Sequence, residues 1–167
     1  TILSANMRIG KAWIDLGRMD RIQPGMEFEV TSPLTGDAKG RIKVSSIEDN
    51  RAECIIVSLV DKYDPLIQDD PIANAVFDSS REAIAVLLGN GFGSFSREDM
   101  RIKLAEVGVR VADKVSNESD YLILGTPFFD EETGDVVPWD SMDAYKLAKS
   151  MSVTVLPFRD TMSWLGL

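Results

Sequence analysis

The grouping of residues best suited to holding a ligand is Gly89-Asn90-Gly91-Phe92-Gly93, a glycine-rich loop between an apolar run and a capped helix. Backbone N–H groups in such a loop, and those at a helix N-terminus, attract phosphates and other anions. The match to a dinucleotide fingerprint is incomplete. Gly89-x-Gly91 leads to Ser94 where that motif has glycine, and no ribose-binding acid sits on a suitably placed second strand. An ordinary flexible βα loop is the competing reading. Arg97, Arg101 and Lys103 follow at once and give the next helix a basic side. Arg97 and Arg101 lie one turn apart, so with Gly89, Asn90, Gly91, Gly93 and the helix N-terminus they could seat a DNA 5′-phosphate. A solvated face that pairs with Glu98 explains the same residues.

Other reactive groupings are thinner. Asp130-Glu131-Glu132-Thr133-Gly134-Asp135 has four acids in six residues, yet lacks the alternating ligands and distant bidentate Glu of a calcium loop. An exposed turn at Thr133-Gly134 accounts for it. Cys54 lies inside Ala52-Glu53-Cys54-Ile55-Ile56-Val57, the setting of a packed small residue. Asp69 and Asp70 are adjacent, so on a strand they point to opposite faces and cannot work as a glycosidase pair. The sequence contains no histidine and one cysteine, which excludes His-based triads, His or multi-Cys zinc sites and an internal disulfide. No Ser-x-x-Lys or nucleophile-elbow motif replaces them. The expectation is no catalytic residue, no metal site and no cofactor.

Aromatic residues are the better lead. Phe92, Phe95, Phe128, Phe129, Trp139, Phe158 and Trp164 fall in or near loops and the final helix. Unburied aromatics in clusters mark protein-binding surfaces. Phe128, Phe129 and Trp139 form the candidate surface. The alternative is that this segment folds back and Phe128 covers the sheet edge.

The elements that must position these groups change in texture near residue 80. Within the first 60 residues, candidate strands at 12–16, 26–31, 40–47 and 52–59 are separated by turn residues rich in Pro, Gly, Asp and Asn. A segment at 67–74 closes the set. Short strands at this spacing predict a small antiparallel β-barrel. The second half alternates strand and helix. Residues 83–88 form a continuous apolar run of the kind buried on both faces of a parallel sheet. Ser96 caps a helix whose inner face is Met100, Leu104 and Val107, with Gly108 as its stop. Further strands are expected at 109–112, 121–124 and 153–156. A second helix starts from Asp140 or Ser141 with Ala144, Leu147, Ala148 and Met151 inward, and a short helix follows at 160–165. The fold class is therefore α+β in two domains, 1–80 and 81–167.

Charge constrains partners. The chain of 167 residues carries 18 basic and 27 acidic side chains, a net charge of -9. Residues 1–80 contribute -4 and residues 81–167 contribute -5, so neither half hides a basic domain. Nucleic acid could be held only through a local patch, weakly and with steep salt dependence.

Leu87-Leu88-Gly89, Ser96-Arg97-Glu98, Val107-Gly108-Val109-Arg110-Val111, Val115-Ser116, Asp120-Tyr121-Leu122-Ile123-Leu124-Gly125 and the run from Lys146 to Val155 follow one another in a telling order. Together they resemble a BRCT domain, most closely that of bacterial NAD-dependent DNA ligases, over about half the chain. The resemblance implies a BRCT-like α/β domain with a four-stranded parallel sheet in the order 2-1-3-4. It also implies that strands 109–112 and 121–124 are parallel and separated by the first strand. Departures are the long insertion 126–139 and the absence of the bulky aromatic usual early in the last helix. Leu88 and residues 142–144 stand where phosphopeptide-binding members have Ser or Thr and Lys, so that pocket is not expected. The first half is similar to small β-domains of bacterial envelope and flagellar-assembly proteins, and the combination to uncharacterised planctomycete-type proteins.

These readings point to a non-catalytic protein-interaction or assembly module of a larger bacterial protein, with a protein partner or self-association. The alternative is a DNA-end or nick-binding BRCT-like module, and after it a nucleotide-binding domain. No membrane contact is expected from this segment. The chain starts at Thr1 and reads as a piece of a larger protein. The BRCT-like half tilts localisation to the cytoplasm, and an upstream signal or anchor would move it to the envelope.

Overall fold

A computed structural model of the chain describes residues 1–166. They group into two units, residues 1–75 with 162–166 and residues 76–161. The first unit thus takes in residues from the far end of the chain, and residues 76–80 go with the second.

The first unit is a curled antiparallel sheet. Its strands are β1 (Ile2–Asn6), β2 (Lys11–Ile14), β3 (Glu27–Thr31), β4 (Ala38–Ile47), β5 (Ala52–Leu59) and β6 (Ile72–Ala73), in the spatial order β1-β2-β5-β4-β3-β6. Alternation decides which way each strand faces. In β3, Phe28 and Val30 are buried while Glu27 and Glu29 lie nearer solvent. Register shifts between Arg41 and Ile42 and between Val44 and Ser46 interrupt the long β4, and bulges of this kind bend a strand and tighten its twist. The curl brings β1 back to the chain before β6. The Ile2 N–H donates to the Asp70 carbonyl at 2.9 Å, and the Asp69 N–H donates to the Ile2 carbonyl at 2.9 Å. Strand β1 was not expected from the sequence: five residues with one buried apolar position carry no periodic signal.

Two polar devices hold this unit together. Lys39 and Asp70 form a buried ion pair at 2.8 Å, and the exposed Asp64 reaches the same ammonium at 3.2 Å. The Ile67 N–H also donates to the Asp70 carboxylate at 2.9 Å. Burial weakens the charged form of Lys39, but its bonds to Asp70 and Asp64 prevail and its pKa is raised. The second device joins distant sequence. The Asn74 side-chain amide donates to the Glu27 and Trp164 carbonyls, each at 2.8 Å. Arg41 stacks over the Trp164 ring at 4.8 Å. Gly25 and Gly166 meet back to back: a Cβ on Gly166 would lie 2.2 Å from the Gly25 carbonyl carbon.

The second unit is a parallel sheet with helices. Its strands are β7 (Ala83–Leu88), β8 (Val109–Ala112), β9 (Tyr121–Leu124) and β10 (Thr154–Pro157), in the order β10-β9-β7-β8 with every pair parallel. Numbered within the unit this is 2-1-3-4, and β8 and β9 do flank the central β7. Helix α1 (Arg97–Glu106) starts at Ser96, whose hydroxyl accepts from the Asp99 N–H while the Asp99 carboxylate accepts from the Ser96 N–H. Met100 and Leu104 are buried, as their spacing predicts.

Helix α2 (Asp143–Ser150) departs from expectation. A single 3-10 turn at Trp139–Ser141 precedes it, and Met142, not Asp140 or Ser141, occupies the cap position. Of the expected inner face, Ala144 and Ala148 pack on Val86, Val115, Leu122 and Val153, whereas Leu147 and Met151 are exposed. Tyr145 takes part in that packing. The buried stripe is thus Ala144, Tyr145 and Ala148, rotated about the helix away from Leu147 and Met151. Helix α3 (Phe158–Leu165) begins directly after β10, two residues before the expected start.

Asp120 fastens the amino ends of the strands. Its carboxylate accepts from the Ile84 N–H at 2.8 Å and pairs with Arg81 at 2.8 Å. Its backbone N–H donates to the Ile84 carbonyl and its carbonyl accepts from the Thr154 N–H. The Arg81 hydrogen bond is the main reason the carboxyl pKa is lowered.

Candidate functional site

In open parallel sheets, ligands usually bind beyond the carboxyl ends of the strands where the order reverses. Here that point lies between β7 and β9, and the glycine loop springs from it. Protein groups fill the crevice. Gly125 N–H donates to the Leu88 carbonyl at 2.8 Å, Asn90 N–H to the Thr126 carbonyl at 2.9 Å, and Thr126 N–H to the Gly91 carbonyl at 2.7 Å. A Cβ on Gly125 would lie 2.1 Å from the Gly91 oxygen, and one on Gly89 would lie 2.9 Å from the Gly125 Cα. The glycines therefore permit two backbones to touch. At the far end of the loop a Cβ on Gly93 would meet the Phe158 ring at 2.9 Å. Phe92, 1% exposed, points inward and packs edge-on against Phe158 with ring centroids 5.9 Å apart.

The basic side of α1 is equally engaged. The Arg97 guanidinium donates to the Leu87 carbonyl at 3.0 Å and sits 6.0 Å from the Phe92 ring centre. Arg101 pairs with Asp113 at 3.2 Å and Glu98 at 3.6 Å. The Lys103 ammonium rests 5.3 Å from the centre of the Phe95 ring. Arg97, Arg101 and Lys103 are thus neighbours on one helix, each directed to a protein partner of its own.

Beside the loop, a cleft of about 480 Å³ is lined by Gly93, Thr126, Pro127, Phe158, Arg159 and Asp160, among others. One arginine and one aspartate are among its lining residues, so their formal charges cancel. Cys54 is buried opposite Ala12 and Val44, and burial pushes its thiol up to about 12. A thiol so held stays protonated at neutral pH and is no nucleophile. Among the described residues, no cluster of three or more Cys, Asp or Glu side chains is arranged to hold a metal ion. No described helix is long and apolar enough to cross a membrane.

The insertion after β9 is built differently. It forms a hairpin in which Phe129 and Val136 face one another across an antiparallel bridge. Asp130 N–H donates to the Asp135 carbonyl at 2.8 Å, and Val137 N–H to the Phe128 carbonyl at 2.9 Å. The turn is sealed by the Asp130 carboxylate, which accepts from the Glu132 and Thr133 N–H groups at 2.9 Å each. Those backbone bonds, chiefly the one from Thr133, lower its pKa. Gly134 completes the turn with φ of 74°. Phe128 and Trp139 are half-buried and meet edge-on, ring centroids 6.4 Å apart, at the base of the hairpin. Phe129 is 54% exposed and Val136 53%. Phe128, Phe129 and Trp139 are thus brought into one small region, with Phe128 and Trp139 supporting and Phe129 presented. Val136 was missed from sequence: a two-residue turn at Thr133-Gly134 would set it opposite Glu131, whereas the observed bridge sets it opposite Phe129.

No family model matches the chain, and no curated protein matches it. Among solved structures, a protein described as a predicted RNA methyltransferase from Thermotoga maritima is similar at 14% identity and a TM-score of 0.24, over 92% of this chain. The chain spans 62% of that protein's length, and a likeness so slight carries no argument about fold or activity.

Proposed function

We propose that the chain is a non-catalytic protein-interaction module of a larger bacterial protein, with the hairpin after β9 as its contact surface. The observation that carries this is the exposed apolar pair Phe129 and Val136, held out on a turn closed by the Asp130 carboxylate and by cross-hairpin backbone bonds. A hydrophobic pair with a rigid base loses little entropy on docking, and aromatic anchors of this sort dominate binding energies. The second unit is read as BRCT-like and the first as a small β-barrel. The parallel strand order and the capped α1 support the former, and the return of β1 to Asp69 and Asp70 supports the latter. The DNA-end reading draws less support, because Arg97, Arg101 and Lys103 each already face a protein group.

Site-specific photocrosslinking tests the proposal. A photoreactive phenylalanine at position 129 is expected to capture a discrete protein band that the same group at the exposed Leu34 does not. Identical bands from both positions, together with a monomer at every concentration in light scattering, would reject the hairpin as a contact surface.

A further inference from the structure

The contact surface proposed above can be given a partner chemistry, and this inference rests on that reading. From Pro127 to Tyr145 the chain carries six carboxylates, Asp130, Glu131, Glu132, Asp135, Asp140 and Asp143, and no lysine or arginine. All six residues are exposed. Among the described residues no ion pair reaches any of them. Acids elsewhere on the surface are commonly matched: Glu48 by Arg51, Glu98 and Asp113 by Arg101, Glu82 by Arg110. The hairpin is therefore a place where acids are concentrated without an ion-pair partner; the next cation along the chain, Lys146, donates to the Ser141 carbonyl instead. Asp130 spends its carboxylate on the turn, which leaves Glu131, Glu132 and Asp135 beside the exposed Phe129 and Val136.

We infer that the hairpin docks a basic amphipathic segment of a partner protein. Its apolar side chains cover Phe129 and Val136, and its lysines or arginines reach the surrounding carboxylates. Complementary charge of this type steers encounter and fixes register, while the apolar contact supplies the holding energy. A second copy of the chain fits poorly, since each hairpin would bring like charge and each molecule already carries -9. Phosphate-bearing ligands are disfavoured by the same carboxylates.

The probes are three fluorescein-labelled 18-residue amphipathic peptides of one pattern, Leu/Lys, Leu/Glu and Leu/Ser, titrated with the full chain in fluorescence anisotropy. The Leu/Lys peptide is expected to bind, and to bind about tenfold more weakly when salt rises from 50 to 300 mM. The double reversal E131K/E132K and the substitution Phe129→Ser are each expected to weaken it by about tenfold, one turn of the affinity scale being roughly 1.4 kcal/mol. The control reversal D37K/E118K, at exposed acids outside the hairpin, should leave affinity within about twofold. Equal weakening by the control would mean diffuse attraction to an acidic protein and would overturn the inference. Tighter Phe129-dependent binding of the Leu/Glu or Leu/Ser peptide would overturn the basic partner and leave the hairpin as the contact surface. A Phe129-dependent dimer in light scattering would likewise replace the partner by a second copy. Binding of the Leu/Lys peptide that ignores both Phe129→Ser and E131K/E132K would overturn the inference, and with matching crosslinks from positions 129 and 34 the underlying reading falls as well.

Discussion

Two loops leave neighbouring strands of the same parallel sheet, and they treat their polar and apolar groups in opposite ways. The glycine loop after β7 turns its aromatic residue inward and joins its backbone to the residues after β9. The hairpin after β9 makes its hydrogen bonds within itself, the Asp130 carboxylate included, and leaves Phe129, Val136, Glu131, Glu132 and Asp135 exposed. The first has a composition associated with phosphate binding, yet its backbone faces a neighbouring loop. The second has the composition of an idle surface turn, yet it presents the apolar contact. An anion-binding motif works through N–H groups that remain free, and here the N–H of Asn90 is already given to the Thr126 carbonyl with every motif residue in place.

The sharpest break of this contrast is at the aromatic residues. Phe92→Ala should cost about 3–5 kcal/mol, the usual price of emptying a filled core site. Urea unfolding followed by circular dichroism checks it; a cost under about 1 kcal/mol would show that the loop is loose. Next comes the contact of the two backbones. Gly125→Ala forces a methyl to within 2.1 Å of the Gly91 oxygen, so the loops must separate, at about 3 kcal/mol. Gly134→Ala in the hairpin meets open space and pays only for its positive φ, about 1 kcal/mol.

The amino ends of the same strands offer an electrostatic control. Asp120→Asn removes the Arg81 pair and weakens the bond to Ile84, at about 2 kcal/mol near neutral pH. Because the folded carboxyl titrates below its ordinary value of 3.8, its contribution is complete above that pH. It is lost as pH falls through the folded value, so wild type and variant should converge in acid unfolding. Arg97→Ala should cost about 1 kcal/mol through the lost bond to Leu87, measured as a lower urea midpoint. No change in stability would mean that Arg97 is free for an external anion. Smallest of all, Phe129→Ser should move stability by less than about 0.5 kcal/mol, while removing the crosslinks expected from its neighbourhood.

The fold was legible where a local rule governs it. Alternation exposed β3, flanking turn residues bounded β5, the continuous apolar run exposed β7, and Ser96 with Asp99 marked the start of α1. Legibility ended where a decision belongs to a distant residue. Leu147 and Met151 have helical spacing with Ala144, but the stripe that packs on the sheet is Ala144, Tyr145 and Ala148, which leaves them exposed. In the glycine loop, the Asn90 N–H and the Gly91 carbonyl are both taken by Thr126, more than thirty residues downstream. The candidate surface was half legible. Phe128, Phe129 and Trp139 were visible as aromatics near a turn, whereas which of them is left exposed depends on an edge-on contact between Phe128 and Trp139.

The bond from Asn74 to Trp164 has a consequence for synthesis. A ribosome emits Asn74 some 90 residues before Trp164, which at about 5–20 residues per second is a wait of several seconds or more. Throughout that interval the nascent sheet has β3 in hand but not the carbonyl that Asn74 will hold, nor the ring that Arg41 will cover. Vectorial folding of this chain is therefore not strictly domain by domain: the first unit gains its last contacts only when residues 162–166 have been made.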